Sequence, residues 1–205
     1  MKHILCFGDS NTWGYAPEST IRYNVNTRWT GVIQQALGNT YRVIEEGLNG
    51  RTTVHNDKDR PYRSGADLMP VLMESHAPLD LVVIMLGTND LKAKFNSSSM
   101  QISKNIESLC ELAMNCNYNP NAQVLLISPS HVVKVNKDDN TEFAGAIEKS
   151  NELSFHYKNV AKNLNIYFVN AAQIVKTTED DGIHWTPQQH RKFGLRLAKT
   201  IEKIV

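Results

Sequence analysis

Six consecutive apolar residues, Leu81-Val82-Val83-Ile84-Met85-Leu86, run into Gly87-Thr88-Asn89-Asp90. A strand with one wet face alternates apolar and polar side chains, so an unbroken run closed by a glycine turn reads as a strand covered on both faces. Strands of that kind belong to parallel sheets, whose neighbours are joined by helical crossovers packed on either side. The chain must then supply further strands, with amphipathic helices between them.

It supplies both. Residues 3–7 form an apolar run that stops at Gly8-Asp9-Ser10-Asn11. Residues 41–46 lead to Gly47-Leu48-Asn49-Gly50-Arg51, where two close glycines mark a tight turn. Residues 124–127 are halted by Ser128-Pro129, and residues 166–169 make the fifth run. Helical spacing fills the intervals. Residues 27–37 carry Trp29, Val32, Ile33, Ala36 and Leu37, closed by Gly38-Asn39. Residues 64–75 carry Leu68, Val71 and Leu72 on an apolar face, with Pro70 near the start or kinking the helix. Residues 97–117 place Ile102, Ile106, Leu109 and Ala113 on one side. A helix over 142–163 follows, and the last, over 187–204, turns Phe193, Leu197, Ile201 and Ile204 inward. The polar stretches 11–26, 56–63 and 134–140 read as loops. Five alternations of strand and helix give a doubly wound α/β fold with a parallel sheet, as one domain over residues 1–205.

Composition narrows the function. With 41% hydrophobic and 21% charged residues the chain is globular, and a formal charge of +1 with no Lys/Arg-rich run offers nothing to nucleic acid or an anionic membrane. No apolar stretch approaches the roughly 20 residues of a membrane span, and the N-terminus lacks a signal-peptide pattern, so a cytoplasmic location is expected. Cys6, Cys110 and Cys116 are odd in number and form no Cys-x-x-Cys pair, which argues against disulfide scaffolds and zinc sites. His190 on the last helix invites a metal reading with His184, but no carboxylate completes a ligand set. We expect His190 at the surface, and no metal or cofactor.

In open parallel sheets, sites form beyond the carboxyl ends of the strands. Those ends carry Ser10, Gly50 and Asn89, and the segment after the fifth strand carries Asp181-Gly182-Ile183-His184-Trp185. A serine hydroxyl needs a base to become a nucleophile, and His184 is the candidate. An imidazole in that role needs a group that fixes its tautomer, and Asp181 lies three residues earlier across a glycine. Backbone N–H groups of Ser10 and Gly50 and the Asn89 amide would serve a developing oxyanion. Thr186-Pro187-Gln188-Gln189 reads as a capping box that anchors the His184 loop to the last helix. Asp90 reads as an acceptor bracing its loop. Asn11, Trp13 and Trp185 flank the nucleophile and base in sequence and are candidates for the substrate pocket.

These residues resemble the SGNH hydrolases, or GDSL esterases. Gly8-Asp9-Ser10 matches the first block of that family, Gly50 the second, Gly87-Thr88-Asn89-Asp90 the third and Asp181-Gly182-Ile183-His184 the fifth. Longer stretches, among them Arg28-Trp29-Thr30-Gly31-Val32 and Val43-Ile44-Glu45-Glu46-Gly47-Leu48, are similar to the bacterial arylesterase/acyltransferase branch. The resemblance implies a three-layer α/β/α, flavodoxin-like fold with strand order 2-1-3-4-5. It implies a metal-free esterase with Ser10 as nucleophile, His184 as base, Asp181 as its orienting acid, and Ser10, Gly50 and Asn89 as oxyanion donors. It also implies short-chain or aryl ester substrates, possible acyl transfer to alcohols, and a homo-oligomer. Asn11 departs from the leucine of the family's name motif, which puts substrate preference in question. Two alternatives stand beside this reading: a carbohydrate O-acetylesterase, and a flavodoxin-like phosphate- or flavin-binding module.

Overall fold

The computed structural model describes residues 1–133 and 141–205; the loop expected over 134–140 lies outside them. Strand β1 (Lys2–Gly8) is followed by a single helical turn, α1 (Ser10–Trp13), then α2 (Trp29–Leu37), β2 (Tyr41–Gly47) and α3 (Gly65–Ser75). Next come β3 (Leu81–Met85), α4 (Ser99–Met114), β4 (Gln123–Ser128), α5 (Ala146–Leu164), β5 (Tyr167–Asn170) and α6 (Pro187–Ile201). The strands form one sheet in the order β2-β1-β3-β4-β5 with every pairing parallel. Fold class and strand order are those expected.

Alternate residues of the central strands enter opposite layers, as the pleat requires. Leu5, Phe7, Val82, Ile84, Val124 and Leu126 pack with Met69, Ile102, Ile106 and Leu153 from α3, α4 and α5. Ile4, Cys6, Leu81, Val83, Met85, Leu125 and Ile127 pack with Trp29 and Ile33 of α2 and Phe193 and Leu197 of α6. The continuous apolar run of β3 is thus explained: all five of its residues are buried.

Three local expectations need correction. Ser10 opens a helical turn rather than a loop, with Asp9 capping it through a bond from the Asn11 N–H at 3.0 Å. On α3 the buried side is Met69 and Met73, with Leu68 and Leu72 half-buried, whereas Val71 is 64% exposed. Pro70 lies inside that helix, and the stripe that meets the sheet is displaced from the one read by spacing. His190 is wholly buried, not at the surface. Its Nδ1 accepts the backbone N–H of Trp29 at 3.3 Å, and its ring lies edge-on to Trp185 and Tyr23.

Candidate active site

The site is assembled at the carboxyl edge of the sheet from four loops. The first is the β1–α1 junction. Its register is fixed by Arg51, whose guanidinium lies 4.1 Å over the Phe7 ring, donates to the carbonyl of Gly8 at 2.9 Å and also bonds that of Glu46. Burial lowers the Arg51 pKa to about 10, well above neutrality, so the bonds stay charge-assisted. The ends of β1 and β2 are therefore tied together, and Ser10 leaves β1 from a fixed point.

The second loop follows β2. Gly50 sits at φ +79, in the left-handed region that favours glycine. The third follows β3. Asn89 donates its side-chain amide to the carbonyl of Arg51 at 3.1 Å, which leaves its second amide hydrogen for the cavity. Asp90, wholly buried, accepts the Thr53 N–H at about 3 Å and the Thr53 hydroxyl. It holds the β2 and β3 loops together, as a bracing acceptor would.

The fourth loop precedes α6. Gly182, at φ +73, reverses the chain so that Asp181 Oδ1 accepts the N–H groups of Ile183 and His184, both at 2.9 Å. Asp181 Oδ2 meets His184 Nδ1 at 2.5 Å, and His184 Nε2 meets Ser10 Oγ at 2.8 Å. Burial alone would raise the Asp181 pKa. The bond and charge of His184 and the two backbone donors outweigh it and hold the carboxyl at about 2. Tyr15 covers the His184 ring, centroids 4.4 Å apart. Thr186 caps α6 by accepting the Gln189 N–H at 3.3 Å, with Pro187 as the first helical residue. The expected box is half made, since Gln189 Oε1 is buried without a partner.

Ser10, Gly50, Asn89, Asp181 and His184 converge on one cavity of about 330 Å³. Its remaining walls are Tyr15, Ile183 and Phe143 together with the polar Asn49, Arg60, Lys92 and Glu142. Lys92 Nζ and Glu142 Oε1 pair at 2.8 Å, with the Lys92 side chain only 5% exposed and Glu142 half exposed. Glu142 and Phe143 carry no signal in the sequence. Lys92 follows the Gly87–Asp90 block and Tyr15 follows the nucleophile turn closely enough to have been suspected.

The expected pocket residues are elsewhere. Trp185 is wholly buried, packed on Phe193 at 4.8 Å, with its Nε1 donating to Ser130 Oγ at 2.8 Å. Trp185 is drawn into the layer between the sheet and α6, away from the cavity that His184 lines. Trp13 is half-buried under the Arg22 guanidinium, 5.3 Å from its ring centre. Asn11 is buried and donates to the carbonyl of Ile183 at 3.2 Å. None of the three lines the cavity. Among the described residues, no group of three or more His, Cys, Asp and Glu side chains converges as a metal-ligand set.

A hydroxyl in contact with an imidazole that is itself backed by a carboxylate is an arrangement able to activate the hydroxyl for attack on an electrophilic carbon. The sequence profile of the GDSL-like lipase/acylhydrolase family matches residues 6–192. The native aryl esterase of M. smegmatis superposes with a TM-score of 0.96 at 36% identity, over 100% of both chains. Est24, a carbohydrate acetylesterase from Sinorhizobium meliloti, superposes with a TM-score of 0.96 at 35% identity, again over 100% of both chains. No curated protein matches the chain.

Proposed function

This chain belongs to the GDSL-like lipase/acylhydrolase family, and from that premise we propose that it is a serine esterase acting through Ser10, His184 and Asp181. Ser10 Oγ attacks the ester carbonyl carbon while His184 Nε2 takes the hydroxyl proton. Asp181 holds the imidazole and balances the charge it gains. The oxyanion is received by the N–H groups of Ser10 and Gly50 and by the free amide hydrogen of Asn89. The intermediate collapses as His184 returns the proton to the departing alcohol oxygen, leaving acyl-Ser10. Water, deprotonated by the same imidazole, then releases the acid.

The observation that carries this reading is the unbroken chain from Asp181 Oδ2 through the imidazole to Ser10 Oγ, with steps of 2.5 and 2.8 Å. A panel of p-nitrophenyl esters tests it. Ser10→Ala should lose on the order of 10⁴-fold or more in kcat, and undiminished turnover by that variant would sink the proposal. A binding module for phosphate or flavin gives this chain of bonds no task.

The small cavity suits a short acyl group on the ester. An aryl ester is the first substrate class, in keeping with the M. smegmatis relative. A carbohydrate ester is the second, and one observation favours it: the Lys92–Glu142 pair, Arg60 and Asn49 line the cavity with both donors and acceptors. Hydroxyl groups use both, whereas an aromatic ring makes no hydrogen bond of this kind and takes at most a cation–π contact from Lys92 or Arg60. If an alcohol enters more readily than water, the acyl group passes to that alcohol instead. We also infer a cytoplasmic homo-oligomer. The cytoplasmic part is supported by Cys6, Cys110 and Cys116, all unpaired thiols, as a reducing compartment keeps them. The oligomer rests on the family resemblance, and sedimentation velocity tests it.

A further inference from the structure

We propose that the free edge of β5 is a docking site for an extended, carboxylate-bearing segment of a partner protein, added to the sheet as a further strand. β5 is the last strand of the sheet and has no neighbour beyond it. Its Phe168–Asn170 stretch borders a groove of about 920 Å³, walled by α5 on one face of the sheet and by α6 on the other. The groove therefore lies where another strand would lie, between the two helical layers, and β5 there presents unpaired backbone donors and acceptors.

The walls specify what would fit. On α6, Lys192, Arg196 and Lys199 form a stripe at helical spacing, and Lys158 faces them from α5. No carboxylate lines the groove, and among the described residues none of these four cations joins a salt bridge. On a chain of net charge +1 this is a local excess of positive charge. The apolar anchors are Phe155 of α5, 67% exposed, and Leu195 of α6, 41% exposed. Side chains of an added strand would point alternately toward α6 and toward α5. The matching segment places Asp or Glu at the positions facing α6 and apolar residues at those facing α5, with main-chain bonds supplying affinity.

A second copy of this chain fits poorly. β5 reads Tyr-Phe-Val-Asn, so pairing two β5 edges sets cation stripes together with no countercharge. The opposite edge, β2, does carry Glu45 and Glu46, but Arg28 and His76 already engage them.

The probe is a short fluorescein-labelled peptide of alternating glutamate and valine, read by anisotropy against the whole protein. A lysine–valine peptide and an acidic peptide N-methylated at alternate residues serve as controls. We expect saturable binding of the first alone, weakened at least about tenfold by the K192E/R196E double variant. Slowed amide hydrogen exchange at Phe168–Asn170 should accompany binding. Both substituted residues are exposed and neither lines the Ser10 cavity, so circular dichroism and ester turnover should match the parent. Equal binding of the N-methylated or lysine peptide, indifference to the charge reversals, or unchanged exchange at β5 would overturn the proposal. So would β5 exchange that slows with protein concentration alone, which would make the occupant a second copy.

Discussion

The side-chain amide of Asn11 donates to the backbone carbonyl of Ile183 at 3.2 Å, joining the turn that carries Ser10 to the loop that carries His184 across most of the chain. The residue beside the nucleophile is thus a tie between two halves of the Ser10–His184 contact and not a wall of the cavity.

Removing that tie should alter the rate more than the preference. Asn11→Leu deletes one buried hydrogen bond, so we expect a loss of about 1 kcal/mol in stability by urea titration. kcat should fall several-fold with KM little changed. The ranking of acyl chain lengths should stay as in the parent, because Asn11 is absent from the cavity surface. A reordered chain-length profile would place Asn11 back among the specificity residues.

Asp181→Asn keeps the shape of its loop but cannot accept both backbone N–H bonds and the imidazole proton as a carboxylate does. We expect a fall on the order of 10⁴-fold in kcat with modest change in KM. Its stability effect has a defined pH range. A carboxyl held at about 2 contributes stability that is present above the ordinary aspartate pKa and is lost as pH falls toward 2. Parent and variant should converge in thermal midpoint at the acid end of that range and separate above it.

Two buried groups should oppose each other in mild acid. His190 is pushed down to about 3, first by burial and then by the charges of His184 and Arg28. It stays neutral while its unfolded counterpart takes a proton, so it lowers stability as pH falls from about 6.5. Asp9 is pushed up to about 6 by burial. It holds a proton that the unfolded chain has released, so it lowers stability as pH rises from about 4 to 6. In the parent the two slopes partly cancel. His190→Phe should remove the His190 contribution, so that between about pH 4 and 6 the variant's melting temperature rises less, or falls more, with pH than the parent's does. Melting curves across the range check the sign, and an unchanged slope would refute the assignment.

Lys92→Met, which retains most of the aliphatic stem, tests the polar wall. Loss of a charged hydrogen-bond donor should raise KM roughly tenfold for an acetylated sugar. p-Nitrophenyl acetate, with no hydroxyl to bind, should be little affected. Equal effects on both substrates would assign Lys92 to shaping the cavity mouth alone.

The frame of the molecule was legible because it depends on local pattern. The apolar run of β3 read as a strand covered twice, and the ends of β1, β2 and β3 and the segment after β5 each carried a residue that the topology brings to one edge. Contacts set by distant partners were not legible. Nothing near His190 announces that Trp29 will meet its ring, nor does the spacing of α3 reveal that Met69 and Met73 face the sheet while Val71 faces water. The cavity walls show the same limit. Adjacency in sequence pointed to Trp13 and Trp185, but Trp13 ends a helical turn under Arg22 and Trp185 packs on Phe193, while Tyr15, Lys92 and Glu142 line the cavity with Ser10.

Arg51 and Asp90 both grip backbone: Arg51 the carbonyls of Gly8 and Glu46, Asp90 the N–H of Thr53. Asn11 grips backbone too, at Ile183. Apart from the Thr53 hydroxyl that Asp90 also accepts, these fasteners do not read the side chains of the segments they join. The loops behind Ser10, Gly50, Asn89 and His184 are thus clamped as one rigid frame, whereas the Lys92–Glu142 wall is held side chain to side chain. Substitutions at that wall can reshape the entrance while the reacting atoms keep their spacing, so the machinery and its clientele are free to diverge separately.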